Sequence, residues 1–412
     1  MSPEIIEFLN VVFRFVHIVA AIMWIGNSLL FTWMEVNFIK DPSKNPKGAI
    51  GHMNMLHAGG VYFLEKREID PHDIPAKLHV FKWQSYTTWL SGAILLAATF
   101  YTRPGTLMLD PSKTDMAGWM ATVISIASLV LAWVVYDLIW HSPLRKKPAA
   151  AAAALTISLF AYAYRIDGFY NGRFVLLQIG AMMATTMSAN VRFVIIPNQK
   201  KIMTALLEGK PHDTEAGHQA KMRSLTNNYV TFPVIFLMLS AHFPSIYADP
   251  YYLPIIFVIC TCLVIIKHMM NIYNEFGDWL YVSVAAFVLS VGAVLMLMYI
   301  PDPAPKLAPG EVAVALSPEA IIGQRVFNEM GCMVCHQPAG NSIAPTLHRI
   351  YGTERRLVGG GRVTADEAYL RESILQSNLK VSYGYAPSMP GYEGVFTDQE
   401  VDQLIAYIKS IK

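Results

Sequence analysis

Gly331-Cys332-Met333-Val334-Cys335-His336 is the stretch from which the reading of this chain starts. Two thiols separated by two residues and followed at once by an imidazole form the attachment signature of a c-type haem: the thiols add to the haem vinyl groups and His336 is placed to ligate the iron. A redox dithiol or half of a zinc site uses the same cysteine spacing, but the adjacent His and the lack of a second such pair weigh against both. The two remaining cysteines, Cys260 and Cys262, lie in an apolar run, where the ordinary role is a small buried side chain. No disulfide framework follows.

Outside the motif, the 412 residues are 54% hydrophobic and only 15% charged. That is the balance of a membrane protein. A net charge of +2 points to no nucleic-acid partner, and the basic residues are better explained by topology than by a binding patch. Crossing ~30 Å of hydrocarbon takes about 20 apolar residues. Runs of that kind occupy 11–34, 82–101, 117–139, 174–196, 254–270 and 279–300, with shorter ones at 149–164 and 229–244. The expectation is an all-α polytopic domain of about eight spans over residues 1–300. The first run follows Glu4 and Glu7 with no basic start, so it reads as a retained span.

An even number of spans puts both termini on one side. The odd loops carry Lys40, Lys44, Lys47, Lys66, Arg67 and Lys77, then Arg145, Lys146 and Lys147, then Lys200, Lys201, Lys210, Lys221 and Arg223, then Lys267; the even loops hold only Arg103, Lys113, Arg165 and Arg173. The positive-inside rule therefore places the odd loops in the cytoplasm and the termini outside. Attachment of c-type haem on the outer face of a bacterial inner membrane requires the same orientation, so a periplasmic haem domain is expected.

Pro301, Pro303, Pro305 and Pro309 make residues 301–317 a semi-rigid tether. A small helical domain over 318–412 then begins with Ser317 as a capping hydroxyl and Pro318 at the first helical position. Thr364-Ala-Asp-Glu367 and Thr397-Asp-Gln-Glu400 read as capping boxes opening two more helices. The second iron ligand is expected at Met389, in Ala386-Pro387-Ser388-Met389-Pro390, where flanking prolines aim a soft thioether that raises the potential. Met389 lies between the haem motif and the last helix, as the distal Met does in class I cytochromes c. The domain resembles that class through Ala344-Pro345-Thr346-Leu347, Tyr351-Gly352 and Asp366 to Ile374.

A haem with both axial positions filled carries electrons and binds no substrate, so the electron donor lies elsewhere. Polar residues at membrane depth are costly and therefore informative. His17 and Trp24, seven residues apart, share one helix face. His242 is near the outer end of the sixth span, while His79, His141 and His268 fall near cytoplasmic ends. A facing pair such as His17 and His242 is the kind of set that holds a non-covalent b-type haem in a bundle core; the alternative is a histidine bonded to a neighbouring helix. His57 is followed by Gly59 and Gly60, which allow close approach to a ligand or simply make a turn. Lys82, Trp83, Gln84 and Tyr86 suit a planar anionic heterocycle, or an interfacial aromatic belt with a snorkelling Lys.

At these residues the membrane half resembles the integral-membrane, cytochrome-c-fused urate hydroxylases of bacterial purine degradation. The resemblance lies in His57-Ala-Gly-Gly-Val-Tyr62, Phe81-Lys82-Trp83-Gln84-Ser-Tyr86-Thr-Thr-Trp89-Leu-Ser-Gly92, Asn190-Val-Arg-Phe-Val-Ile-Ile-Pro-Asn-Gln199, Asn227-Asn-Tyr-Val-Thr-Phe-Pro233 and Ser240-Ala-His242. It implies oxidation of urate to 5-hydroxyisourate, with electrons passing to the fused haem and onward to a soluble cytochrome c or terminal oxidase. His57, Lys82, Gln84 and Tyr86 are then the expected substrate residues. Gln178 and Thr226 stand where the family has His, so no role carries over there. The first span, from His17 to Gly26, is also similar to small haem-binding membrane proteins. The rival reading is a membrane electron-transfer protein, from quinol or b-type haem to cytochrome c, without urate chemistry.

Overall fold

The computed structural model describes residues 3–67, 80–102, 104–110, 113–211, 213–247, 249–298, 316–336, 344–385 and 389–411. The Pro-rich tether of 301–315, with Lys77, His79 and Arg103, lies outside the described residues. Each apolar run is helical: α1 (Pro3–Asn37), α2 (Trp83–Leu96, continued by a π turn Ala97–Tyr101), α3 (Gly118–His141), α4 (Pro148–Asp167), α5 (Gly172–Ala189), which runs through a second π turn (Asn190–Ile195) into α6 (Ile196–Leu207), α7 (Thr214–Ser240), α8 (Tyr252–Ile272) and α9 (Trp279–Met298).

Six of these stretches are long and apolar enough to cross a membrane among the described residues: Phe8–Asn37, Gly118–His141, Pro148–Asp167, Gly172–Leu207, Tyr252–Ile272 and Trp279–Met298. The two others differ for visible reasons. The α2 segment changes hydrogen-bond register at its π turn. The first half of α7 carries Glu215, Lys221, Arg223, Asn227 and Asn228 before its apolar half begins.

Helix α1 packs along α2, α5 lies between α3 and α7, and α8 packs on α7 and α9. At one end, Phe100, Met108, Tyr170 and Phe174 form a closed aromatic core, in which the Tyr170 hydroxyl donates to the Ala121 carbonyl at 2.6 Å. Asp167 accepts from Lys113 at 3.0 Å and from the Tyr252 hydroxyl at 2.6 Å, tying three connections together there. Large apolar side chains such as Phe15, Leu138 and Leu289 face outward on α1, α3 and α9, the arrangement expected where hydrocarbon replaces water.

The expected first loop is not irregular. Residues β1 (Ala49–His57) and β2 (Gly60–Arg67) form an antiparallel hairpin, closed at His57 and Gly60 by Ala58 and Gly59. Both turn residues have positive φ, 51° and 77°, the geometry of a tight two-residue hairpin turn. The helical architecture is as expected, and this ribbon and a second short one, β3 (Glu354–Arg356) with β4 (Arg362–Thr364), are added to it.

The C-terminal domain is built on α10 (Pro318–Glu329), α11 (Glu367–Leu375) and α12 (Asp398–Ser410). Ser317 caps α10, and the Thr397–Glu400 capping box opens α12 as expected. The other expected box is displaced: Asp366, not Thr364, caps α11 by accepting from the Tyr369 amide at 2.9 Å, because Thr364 belongs to β4. Helices α10 and α12 cross at Gly323, where a β-carbon would stand 1.9 Å from the Gln403 carbonyl oxygen. Phe327, Tyr369, Leu370, Val401, Leu404 and Ile408 fill the core between the three helices.

Candidate functional site

Cys332 to Cys335 form a single helical turn entered through Gly331 in the left-handed conformation, φ 69°. A cavity opens beside it, lined by Cys332, Cys335, His336 and Met389 together with Phe327, Pro345, Leu347, Tyr369, Ile374 and Leu404. Four residues of the three types that hold a c-type haem thus line one largely apolar cavity. The His336 Nδ1 lies 2.9 Å from the Pro345 carbonyl. A carbonyl only accepts, so Nδ1 carries the proton and Nε2 is left as the ligating nitrogen. Burial holds the His336 pKa below its usual value, against the opposing pull of the Pro345 bond. The imidazole is therefore kept neutral, as a metal ligand must be. Burial likewise pushes the Cys332 thiol up. Ser377 donates to the Met389 carbonyl at 2.6 Å and fixes the backbone of the second candidate ligand. Residues 386–388 lie outside the described residues. The donor set fits a covalently bound haem, whose chemistry is one-electron transfer.

In the membrane domain, the residues expected to meet substrate are less united. His57 ends β1 at the exposed hairpin tip, and its side chain makes no hydrogen bond or ion pair among the described residues. Lys82 caps α2 without a side-chain bond, its ammonium 5.5 Å from the Trp83 ring centroid. Trp83 meets Tyr86 edge-on at 6.0 Å. Tyr86 and Trp24 then pack against Val191, Ile195 and Ile196 at the second π turn. Gln84 is half-buried, and its backbone carbonyl accepts from the Thr88 hydroxyl at 2.7 Å. No hydrogen bond or ion pair joins His57 to Lys82, Gln84 or Tyr86 among the described residues.

His17 lies in the α1–α2 contact. Its Nδ1 is 2.9 Å from the Thr88 carbonyl and 3.1 Å from Ser91 Oγ, which again places the proton on Nδ1 and leaves Nε2 open. His242 follows α7 and is exposed.

Two interior polar networks at the other end were only partly visible in the sequence. Arg223, 4% exposed, donates to Asp137 at 2.5 Å and to Asn190 at 3.4 Å, and lies over Trp133, Tyr136 and Trp140. Asn190 extends the set by donating to Asn227 at 2.8 Å. The second network runs from Lys267 to Asn271 at 3.1 Å, from Asn271 to Asn228 at 3.0 Å, and from Asn228 to Thr32 at 2.9 Å. Lys267, counted in the sequence only as a loop charge, is 2% exposed inside α8. The signal available was a lone Lys between Ile265-Ile266 and Met269-Met270. Gln178, at a position where the resembled family carries His, is fully buried and satisfied by Ser125 and Ser128 at 2.6 Å each. Thr226 bonds back to Met222 at 2.9 Å. Among the described residues no cluster of three or more His, Cys, Asp or Glu could hold a metal ion.

A family described as urate oxidase N-terminal matches residues 3–298, and a cytochrome c family matches residues 320–412. The comparison with curated proteins gave no match. The first match spans the whole described membrane domain, and the second begins inside α10 and takes in the haem cavity. The chain therefore belongs to the urate oxidase N-terminal family, with a cytochrome c domain joined behind it.

Proposed function

We propose that this protein oxidises urate to 5-hydroxyisourate in residues 1–300 and passes the electrons to a single c-type haem in 318–412, the two parts being joined by the Pro-rich linker 301–317. The balance is urate plus water giving 5-hydroxyisourate, two protons and two electrons, and the electrons leave singly because the haem takes one at a time. The observation that carries this reading is continuity: a urate oxidase family domain and a cavity gathering Cys332, Cys335, His336 and Met389 occur in one chain. Cys332 and Cys335 hold the haem covalently, with His336 and Met389 on its iron.

The charge distribution supports eight spans in a bacterial inner membrane with the cytochrome domain in the periplasm. A soluble cytochrome c or a terminal oxidase then takes the electrons. A substrate site at the cytoplasmic end lies ~30 Å of hydrocarbon from that exit. A membrane haem b is the relay this distance calls for, with His17 and His242 as candidate ligands. His17 fits by its tautomer, with the proton on Nδ1 and Nε2 left to ligate.

Anaerobic addition of urate to membranes containing the protein is the test. Reduction of the c-type haem, with no hydrogen peroxide formed in air, is expected. A haem that quinol reduces and urate leaves oxidised would instead establish the pure electron-transfer reading. Pyridine haemochrome spectra count the haems, and c-type haem alone would end the relay proposal.

A further inference from the structure

Among the described residues of the membrane domain, Lys267 is the one buried cation left without a counter-charge. Arg223 has Asp137 at 2.5 Å and three aromatic faces. Lys267 is equally buried, yet no carboxylate lies within ion-pair range among the described residues. Its ammonium donates to Asn271 at 3.1 Å and lies 5.7 Å from the Phe232 ring centroid. An ammonium carries three N–H donors, and an unpaired one at membrane depth is costly. Asn271 itself is held, because its amide donates to Asn228 and Asn228 donates to Thr32. The lysine is thus anchored on one side by an oriented amide.

A cavity borders the residue on another side. Lys267 lines a cavity of ≈ 380 Å³ with Thr32, Trp33, Tyr273 and Trp279, within the range of small-molecule sites. Two indoles and a phenol supply aromatic surface beside the cation, and Tyr273 meets Trp279 edge-on at 5.8 Å. A flat, electron-rich anion matches those walls: its charge answers the ammonium and its faces pack on the rings. Urate, a monoanion at neutral pH, has that chemistry.

We propose that this cavity between α1, α8 and the start of α9 is the urate-binding site, with Lys267 holding the anion and Trp33, Tyr273 and Trp279 packing its ring. The proposal rests on the urate reading above and moves the site from the Lys82 cluster to Lys267. An anionic phospholipid headgroup shares the charge but not the flat ring, and the test separates the two.

Equilibrium dialysis with urate, and urate-driven haem reduction, are measured on the full-length haem-loaded protein and on Lys267→Met and Lys267→Arg. Loss of a charge-assisted contact predicts urate binding weakened ~10- to 100-fold in Lys267→Met, with partial recovery in Lys267→Arg and an unchanged dithionite-reduced haem spectrum. Wild-type protein that binds urate but stays oxidised would overturn the functional reading and leave the site standing. Wild-type reduction by urate with undiminished binding by Lys267→Met would overturn the site alone. Loss of co-purified anionic phospholipid from Lys267→Met, with urate binding intact, would also overturn it and make the cavity a lipid seat. Protein that neither binds urate nor is reduced by it refutes both. Should Lys267→Met fail to insert, Trp279→Ala tests the same cavity, and unchanged urate binding there overturns the proposal.

Discussion

His17 and Gly92 meet across the α1–α2 interface so closely that a β-carbon on Gly92 would stand 2.9 Å from His17 Cε1. The absent side chain is what lets the imidazole reach the Thr88 carbonyl and Ser91 hydroxyl on the same helix. Gly92→Ala gains about 1 kcal/mol of helix propensity but must displace the ring, and overpacking costs about 1–3 kcal/mol. The expected result is a net loss in thermal stability, and loss of any b-type haem signal that depends on His17. Adding His17→Ala removes the clash, so the double variant should be less destabilised than the sum of the two single ones. Strict additivity would show that the ring and the glycine do not interact.

Gly323 makes a harder version of the same contact. Its added β-carbon would lie 1.9 Å from the Gln403 carbonyl oxygen, 2.5 Å from the Gln403 carbonyl carbon and 3.1 Å from the Leu404 nitrogen. All three are backbone atoms, so no side-chain rotation relieves them. Gly323→Ala should separate α10 from α12 and destabilise the cytochrome domain by about 3 kcal/mol or more, despite the better helix former. Haem staining of the purified chain and thermal unfolding followed by haem absorbance measure it. Normal haem content with unchanged stability would contradict the crossing described.

The parts of this protein that could be read in the sequence are those governed by local rules. Ser317, Thr397 and the Cys332-to-His336 turn each announce themselves within a few residues, and each apolar run is helical because backbone polar groups in hydrocarbon need internal partners. At 49–67 the glycines after His57 left a turn and a ligand approach equally open, and the structure makes them the turn of a hairpin whose two strands the residues did not announce. Thr364 was misread because capping chemistry is the same for Thr and Asp, and only the β4 pairing decides between them. Lys267 was not legible at all as a site residue. Its meaning depends on Asn271, Asn228, Thr32 and Trp279, which three other helices bring to it or its own helix places a turn away.

The Met389 ligand is checked by its potential. Met389→Ala should open the sixth position of the haem iron, lower the reduction potential and allow carbon monoxide to bind the reduced protein, since His/Met ligation raises the potential. Ser377 steers Met389 through its backbone and touches no iron. Ser377→Ala should therefore cost about 1 kcal/mol of stability and shift the potential slightly downward without admitting carbon monoxide. Potentiometric titration and carbon monoxide difference spectra distinguish the two. An unchanged potential in Met389→Ala would mean that another side chain holds the sixth position.

The capping box of α12 gives the cytochrome domain a pH dependence whose sign is fixed. The Glu400 carboxylate accepts from the Thr397 amide and from its hydroxyl, both at 2.8 Å, and the amide bond in particular holds the Glu400 pKa below its usual 4.5. A depressed carboxylate contributes stability that is fully present above the ordinary Glu pKa and is lost as pH falls through the lowered one. Acid should therefore loosen the first turn of α12 below about pH 5. Arg371 also pairs with Asp398 and Asp402, and Lys409 with Glu367, so the comparison must be with a variant that leaves these pairs in place. Glu400→Gln keeps an acceptor of the capping-box type but cannot ionise. Its unfolding midpoint, followed by haem absorbance, should lose part of the acid slope between about pH 5 and pH 3, while Glu400→Ala should be less stable than wild type at neutral pH. Identical slopes for wild type and Glu400→Gln would show that the acid sensitivity resides in the arginine and lysine pairs and not in the cap.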